Sequence, residues 1–325
     1  MPIDRPITAY RRTGADPPWG DPLAPHGVAM EGWFWRITDP ASGRVVVVLC
    51  GCCRGAAGEW TLVGLAAAPG GAVRSAIGPP ARVGADGREI TVPGVLEADD
   101  EGLRVTLAED ARLTARFAAP ARWTRRAFGG LGVGQAVPGL GQYWHPHVLG
   151  GTVDADLRLG DETWTFDGAR GYAEKNWGGG FPSRWWWGQA SGIGGDEDAC
   201  VAFAGGEVAV GPVGLAPTAI VVRAGGELLR LVLPFAHVSA DAADGAWQLR
   251  ARSPRWSVEV EGDANGSRAH RLPVPLPSER RLVDGPAQHF TGRLRVDVRR
   301  GRRLVFRGES ELAGLERGDL SAAGL

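Results

Sequence analysis

The chain has 325 residues, 44% hydrophobic and 22% charged, enough to bury one large core or two ordinary ones. A formal net charge of −1 excludes the basic surface that nucleic-acid binding requires. No run approaches the roughly 18 to 20 apolar residues of a membrane span.

From the N-terminus, "MPIDRPITAYRRTGADPPWGDP" is polar and proline-rich, without an apolar stretch of signal-peptide type. It reads as an extended arm over residues 1–25 of a cytoplasmic protein. Glycine (50) and proline (23) then break the chain into short segments in which helical periodicity is hard to find. Apolar or alternating runs recur between turn signals: "GWFWRI", "RVVVVL", "WTLVGLAAA", "LRVTLAED", "RLTARFAA" and "TWTFD", and later "CVAFAG", "WQLRARSP" and "WSVEVEGD". "VVRAGGELLRL" and "VDVRRGRRLVF" read as hairpins with short loops. The predicted fold class is all-β, an antiparallel sandwich or barrel with little helix. The strands fall into two groups, predicting one β domain over 26–180 and a second over 181–325. "GGLGVGQAVPGLGQ" (129–142) is a loop long enough to act as a lid.

Three of the 4 cysteines lie in "LCGCCRG", after an apolar run, and read as small core residues rather than metal ligands. His145 and His147 have the i, i+2 spacing of a strand-borne metal pair, but no third ligand is identifiable, so no metal is expected.

The stretch that asks for a chemical explanation is "YAEKNWGGGFPSRWWWGQ", residues 172–189. It holds Lys175, the one lysine in a chain whose Lys+Arg total is 36, and Asn176, one of two asparagines. Arginine serves everywhere else, and its planar fork is no substitute for a compact three-donor ammonium. Read as a strand, "YAEKNW" places Tyr172, Glu174 and Asn176 on one face and Lys175 and Trp177 on the other. Beyond the glycines, Trp185, Trp187 and Gln189 share a face. "EGWFWRI" repeats the design with Glu31, Trp33 and Trp35, and "QYWHPH" adds Tyr143, Trp144 and His145. These residues, with Phe181, are expected to line one pocket. A carboxylic acid desolvated among aromatics keeps its proton to higher pH, which makes Glu174 a candidate proton donor. Indole faces stabilise a cation above them. An acid in an aromatic cage suits chemistry through a carbocation.

The same residues carry a family likeness. "EKNWGGGFP" followed by "WWWGQ" resembles the hallmark of the tocopherol cyclases, and "EGWFWRI" and "GESELAGLERG" resemble that family's opening and closing segments. Around Trp144 the flanking Tyr143 and His145 depart from the family pattern, which leaves the substrate open. The resemblance implies two lipocalin-like β-barrel halves and a cofactor-free isomerase. Such an enzyme protonates a prenyl double bond and closes a phenol oxygen onto the cation. From their positions in these motifs, catalysis is expected of Glu174, Lys175 and Asn176, and substrate contact of Glu31, Trp33, Trp35, Tyr143, Trp144, His145, Tyr172, Trp177, Phe181, Trp185, Trp187 and Gln189. The partner implied is a small hydrophobic prenylated aromatic or terpenoid, with at most transient peripheral membrane contact. Alternatives are hydration of a terpenoid or carotenoid alkene, another cyclisation on the same scaffold, or a non-catalytic prenyl-lipid carrier.

Overall fold

The computed structural model of the protein describes residues 4–123, 128–210, 213–243 and 245–320. Within them the fold is all-β: every strand pairing is antiparallel and two large sheets account for nearly all the strands.

Alternation explains the outer strands. Ala111–Ala118 (ARLTARFA) is buried at every second residue along most of its length, as expected of a strand with one wet face. Arg44–Gly55 (RVVVVLCGCCRG) is buried on both faces instead. Val46, Val48, Cys50 and Cys52 point into the core of the first sheet, and Val45 and Val47 meet Phe290 from the second. The continuous valine run is thus the signature of a strand sandwiched between a barrel interior and a neighbouring sheet. All four cysteines are buried and free.

The first sheet has eleven strands. Its central members are Arg44–Gly55, Met30–Asp39, Glu162–Gly178 and Gln142–Leu159, side by side in that order. The sheet coils on itself until its ends nearly meet: a Cβ on Gly78, near one end, would lie 3.0 Å from a methyl of Val92, near the other. The second sheet has ten strands, with Arg184–Ile193, Arg303–Asp319 and Arg281–Arg300 adjacent at its centre. Each sheet encloses its own apolar core, and a third cluster, including Trp144, Leu149, Tyr172, Trp187 and Cys200, fills the seam between them.

Both expected hairpins form. Thr218–Ala224 turns into Glu227–Leu231 through Gly225 and Gly226, both at positive φ. Arg281–Arg300 turns into Arg303–Asp319 through Gly301 and Arg302. The arm is a departure. Asp4–Arg11 is an α-helix rather than extended chain. It is strapped down by Arg11, whose guanidinium reaches Asp16 and the carbonyls of Asp21, Ala24 and Pro25. The 129–142 segment holds a short 3₁₀ turn, Gly132–Ala136, over the seam.

The strand carrying the motif is pinned at its end by a glycine. At Gly178, φ is +152 and a Cβ would stand 2.0 Å from the carbonyl oxygen of Gly141, so only glycine fits that close approach.

Candidate active site

Register decides which residues meet. Met30–Asp39 lies beside Glu162–Gly178 so that Phe34 faces Glu174, Trp33 faces Lys175 and Gly32 faces Asn176. The two-residue period then sends Glu174, Asn176 and Phe34 into the seam. Lys175 and Trp33 point to the other side, into the first barrel.

Glu174 is 4% exposed and lines a cavity of about 260 Å³ in the seam. Its Oε2 accepts three hydrogen bonds: from Trp144 Nε1 at 2.8 Å, from Trp187 Nε1 at 2.9 Å and from the Tyr172 hydroxyl. Trp144 reaches it diagonally from the neighbouring strand, which has a bulge at His147 just beyond. Trp187 reaches it from the second sheet. Oε1 receives no donor from the described residues, so the proton of the neutral acid belongs there. Burial raises the Glu174 pKa, and the three donors work against it without cancelling it. The result is an acid that desolvation biases toward its neutral form, with donors already in place for its conjugate base.

The walls are mainly apolar. Phe34, Tyr143, Trp144, Phe181, Trp185, Trp186 and Trp187 supply the aromatic surface, and Trp33 borders it from the first barrel's core. Phe34 meets Trp187 edge-on at 5.3 Å, and Phe181 leans on Trp185 at 5.1 Å. Asn176 also lines the cavity, and its Oδ1 has no partner. Gly32 makes the room for it, since a Cβ there would lie 2.7 Å from that oxygen. Leu233 stands both on the wall and 59% exposed, marking an apolar mouth.

Glu174, Asn176, Tyr143, Trp144, Phe181, Trp185 and Trp187 are therefore gathered at the cavity as the sequence suggested, while Trp33 borders it with its ring in the first barrel's core. Tyr172 stands behind Glu174 rather than on the wall. The others do not arrive. Lys175 is fully buried on the far face of its strand. Its ammonium donates to Glu31 Oε2 at 2.8 Å, to the carbonyls of Leu23 at 2.9 Å and Ala24 at 3.2 Å, and lies 3.4 Å from His26 Nδ1. It also sits over the rings of Trp33, at 4.8 Å, and Trp177, at 5.3 Å. Burial lowers its pKa and Glu31 opposes that. Glu31 likewise faces the barrel interior, where Arg54 and the backbone N–H groups of His26 and Gly27 also bond it. Burial works against its charge, yet Lys175 and His26 outweigh burial and hold the carboxylate well below its usual range. Trp35 is in the first barrel's core. Trp177 stacks between His26, at 4.3 Å, and Tyr143, at 5.7 Å. His145 is buried, its pKa pushed down to about 3 by burial, and packs edge-on against Trp123. Gln189 donates to Ser191 Oγ at 2.7 Å. The alternation read from the sequence divides the scarce letters of the motif between a pocket and a buried ion-pair cluster, so they do not act as one functional set.

The same alternation hid residues that do reach the cavity. Phe34, between the two expected tryptophans of its strand, is one. Trp186, Gln142 and Gln288 are others, and so is Glu316, in "LERG" of the closing segment. Nothing in the local sequence separates Glu316 from the exposed Glu309 and Glu311; only its pairing opposite Trp187 does. Among the described residues no group of three or more His, Cys, Asp or Glu is placed to hold a metal ion, and no helix is long and apolar enough to cross a membrane.

The tocopherol cyclase-like family matches residues 145–319, which include Glu174, Trp187 and Glu316. The chain belongs to that family. Its relatives include a probable chloroplastic tocopherol cyclase of Oryza sativa subsp. japonica, 28% identical over 194 residues, 56% of this chain and 41% of that protein. A chloroplastic tocopherol cyclase of Zea mays is 28% identical over 144 residues, 43% of this chain and 30% of that one. The chain thus spans less than half the length of these curated relatives. Among solved structures, CghA with Sch210972 matches with a TM-score of 0.60 over 89% of this chain and 88% of that one. Kievitone hydratase from Nectria haematococca matches at 0.52 over 92% of each. Both are 12% identical to this family member and show the two-barrel, lipocalin-like fold alone.

Proposed function

We propose that the protein is a cyclase that closes a phenol oxygen onto a prenyl-derived carbocation, turning a prenylated hydroquinone or related terpenoid-bearing aromatic into a chromanol-type ring. The observation that carries this reading is the Glu174 carboxyl: one oxygen takes three donors, the other takes none, and the cavity around it is walled by indoles.

The chemistry follows from that geometry. Glu174, neutral through burial, gives its proton to the less substituted carbon of a prenyl double bond. The negative charge left on the carboxylate falls on donors already aimed at Oε2, stabilisation that grows as the proton departs. The tertiary cation forms against the faces of the indoles, which attract it without bonding to it. Their apolar surface excludes water that would otherwise capture the cation. The phenol oxygen closes the ring and its proton returns to the protein. No electrons are gained or lost overall, so the reaction needs no redox cofactor. Asn176 Oδ1, unpartnered in a buried site, accepts a substrate hydroxyl and fixes the head group. Lys175 acts at a distance from the chemistry, holding its strand and the 23–31 segment together.

The test is to incubate the purified protein with a prenylated hydroquinone in D₂O, without oxygen, and weigh the product. An isomer carrying one carbon-bound deuteron is expected. A product heavier by one water would make the protein a hydratase. Substrate that binds but returns unchanged would make it a carrier.

A further inference from the structure

Glu316 is the half-buried carboxyl that this mechanism leaves unused. It lines the same cavity as Glu174 from the second sheet, on the strand next to that of Trp187. The Trp185 indole donates to its Oε1 at 2.5 Å, and among the described residues no donor reaches Oε2. Among the described residues no cation is paired with it. Its partner on the other neighbouring strand is Gln288, which also lines the cavity and whose Oε1 is buried without a partner. A second acid with one oxygen free, beside an unpaired amide, in an otherwise apolar chamber is a costly arrangement unless it acts on a ligand.

We propose that Glu316 is a second catalytic carboxyl, the group that collects the proton released from the substrate's hydroxyl while Glu174 supplies the one that goes to carbon. The proposal rests on the cyclase reading. In the reacting form the pair carries one proton, on Glu174, with Glu316 ionised. Glu174 gives it up as the new C–H bond forms at the alkene. As the C–O bond closes, the O–H bond breaks and its hydrogen passes to the Glu316 carboxylate. Transfer from Glu316 back to Glu174, through water admitted as product leaves, restores the starting state, and atoms and charge balance.

The electrostatics agree with the geometry. Burial is the main force on Glu316 and pushes its pKa up to about 7; the Trp185 hydrogen bond opposes this and the nearby Glu174 charge adds to it. Glu316 therefore has a stronger hold on a proton than an ordinary carboxylate, as the receiving group needs. Glu174, with three donors against one, is the better leaving base. Two interacting carboxyls with unequal surroundings divide acid and base roles between them.

The experiment compares the protein with its Glu316→Gln and Glu316→Asp variants by difference infrared spectroscopy between pH 5 and 9 and by the pH profile of turnover. The wild-type protein should show a carboxylic C=O band lost near pH 7, absent from Glu316→Gln. With a prenylated hydroquinone, Glu316→Gln should lose about 10²-fold in kcat with KM little changed. Wild-type activity should rise as Glu316 ionises near neutrality, that rise should be missing from Glu316→Gln, and Glu316→Asp should recover part of the rate. Loss of folded signal in Glu316→Gln hands the decision to Glu316→Asp, whose band must then move. A protein with no such band, or a Glu316→Gln variant with wild-type kcat and pH profile, overturns the proposal. If no prenylated hydroquinone is turned over, the cyclase reading fails by itself, and the infrared titration still decides whether Glu316 holds a proton near neutrality.

Discussion

Trp187 Nε1 lies 2.9 Å from Glu174 Oε2, and the two residues belong to different sheets. The acid is complete only where the barrels meet, so its strength depends on the packing of the seam. Replacing Trp187 by Phe keeps the aromatic bulk and removes one donor to the carboxylate. A hydrogen bond to a charged group is worth about 1.5–3 kcal/mol, so the variant should lose roughly 10- to 100-fold in kcat. Since that donor lowers the Glu174 pKa, the variant's acid should also titrate at higher pH. An unchanged kcat measured in steady state would remove the seam bond from the mechanism.

Glu174→Gln keeps the shape and the hydrogen-bonding oxygen but has no proton of the right acidity. Turnover should fall by about 10²- to 10⁴-fold, the usual contribution of a general acid. The variant should melt within a few degrees of wild type, because Gln replaces a carboxyl that burial already biases toward its neutral form. Rates in the D₂O assay together with thermal melts separate the two effects.

Lys175 should behave in the opposite way. Lys175→Met removes one of the two side-chain cations that bond Glu31 and leaves that carboxylate, 0% exposed, with Arg54 and two backbone N–H groups as partners. Breaking a buried pair from one side costs about 3–5 kcal/mol. Chemical denaturation should show a loss of that order. The fraction that remains folded should keep a kcat close to wild type. A well-folded but inactive Lys175→Met would return the lysine to the chemistry.

Glu316 makes a prediction about stability that is independent of substrate. Its folded pKa of about 7 lies above the ordinary carboxylate value of 4.5. The folded state therefore binds this proton more tightly than the unfolded chain, and stability falls as pH rises from about 4.5 through about 7. The loss is of order 3 kcal/mol before relaxation of the cavity is allowed for. Glu316→Gln cannot ionise and should escape this decline. The variant should be more stable than wild type at pH 8 and nearly equal to it at pH 5, by urea denaturation at both. Added stability together with lost activity is the pattern of a group retained for function.

Much of this was legible in the residues themselves. The short alternating runs and glycine-rich turns determine an all-β chain, because period-two burial and positive-φ turns admit few other solutions. The chain's one lysine inside "EKNWGGGFP" marked the strand, and alternation along it already placed Glu174 and Asn176 on one face and Lys175 on the other. The site was harder to read. Glu31, Trp35, His145 and Gln189 looked like pocket residues because they are close in sequence to ones that are. Register put Phe34, not Trp35, beside Glu174. Glu316 and Gln288 could not be found at all from their own neighbourhoods. They reach the cavity because two distant strands pair with each other and pack their sheet against the first. Local sequence determines which way a side chain points from its own strand. Only the packing of one sheet on another decides what it points at, and that is where this protein assembled its acids.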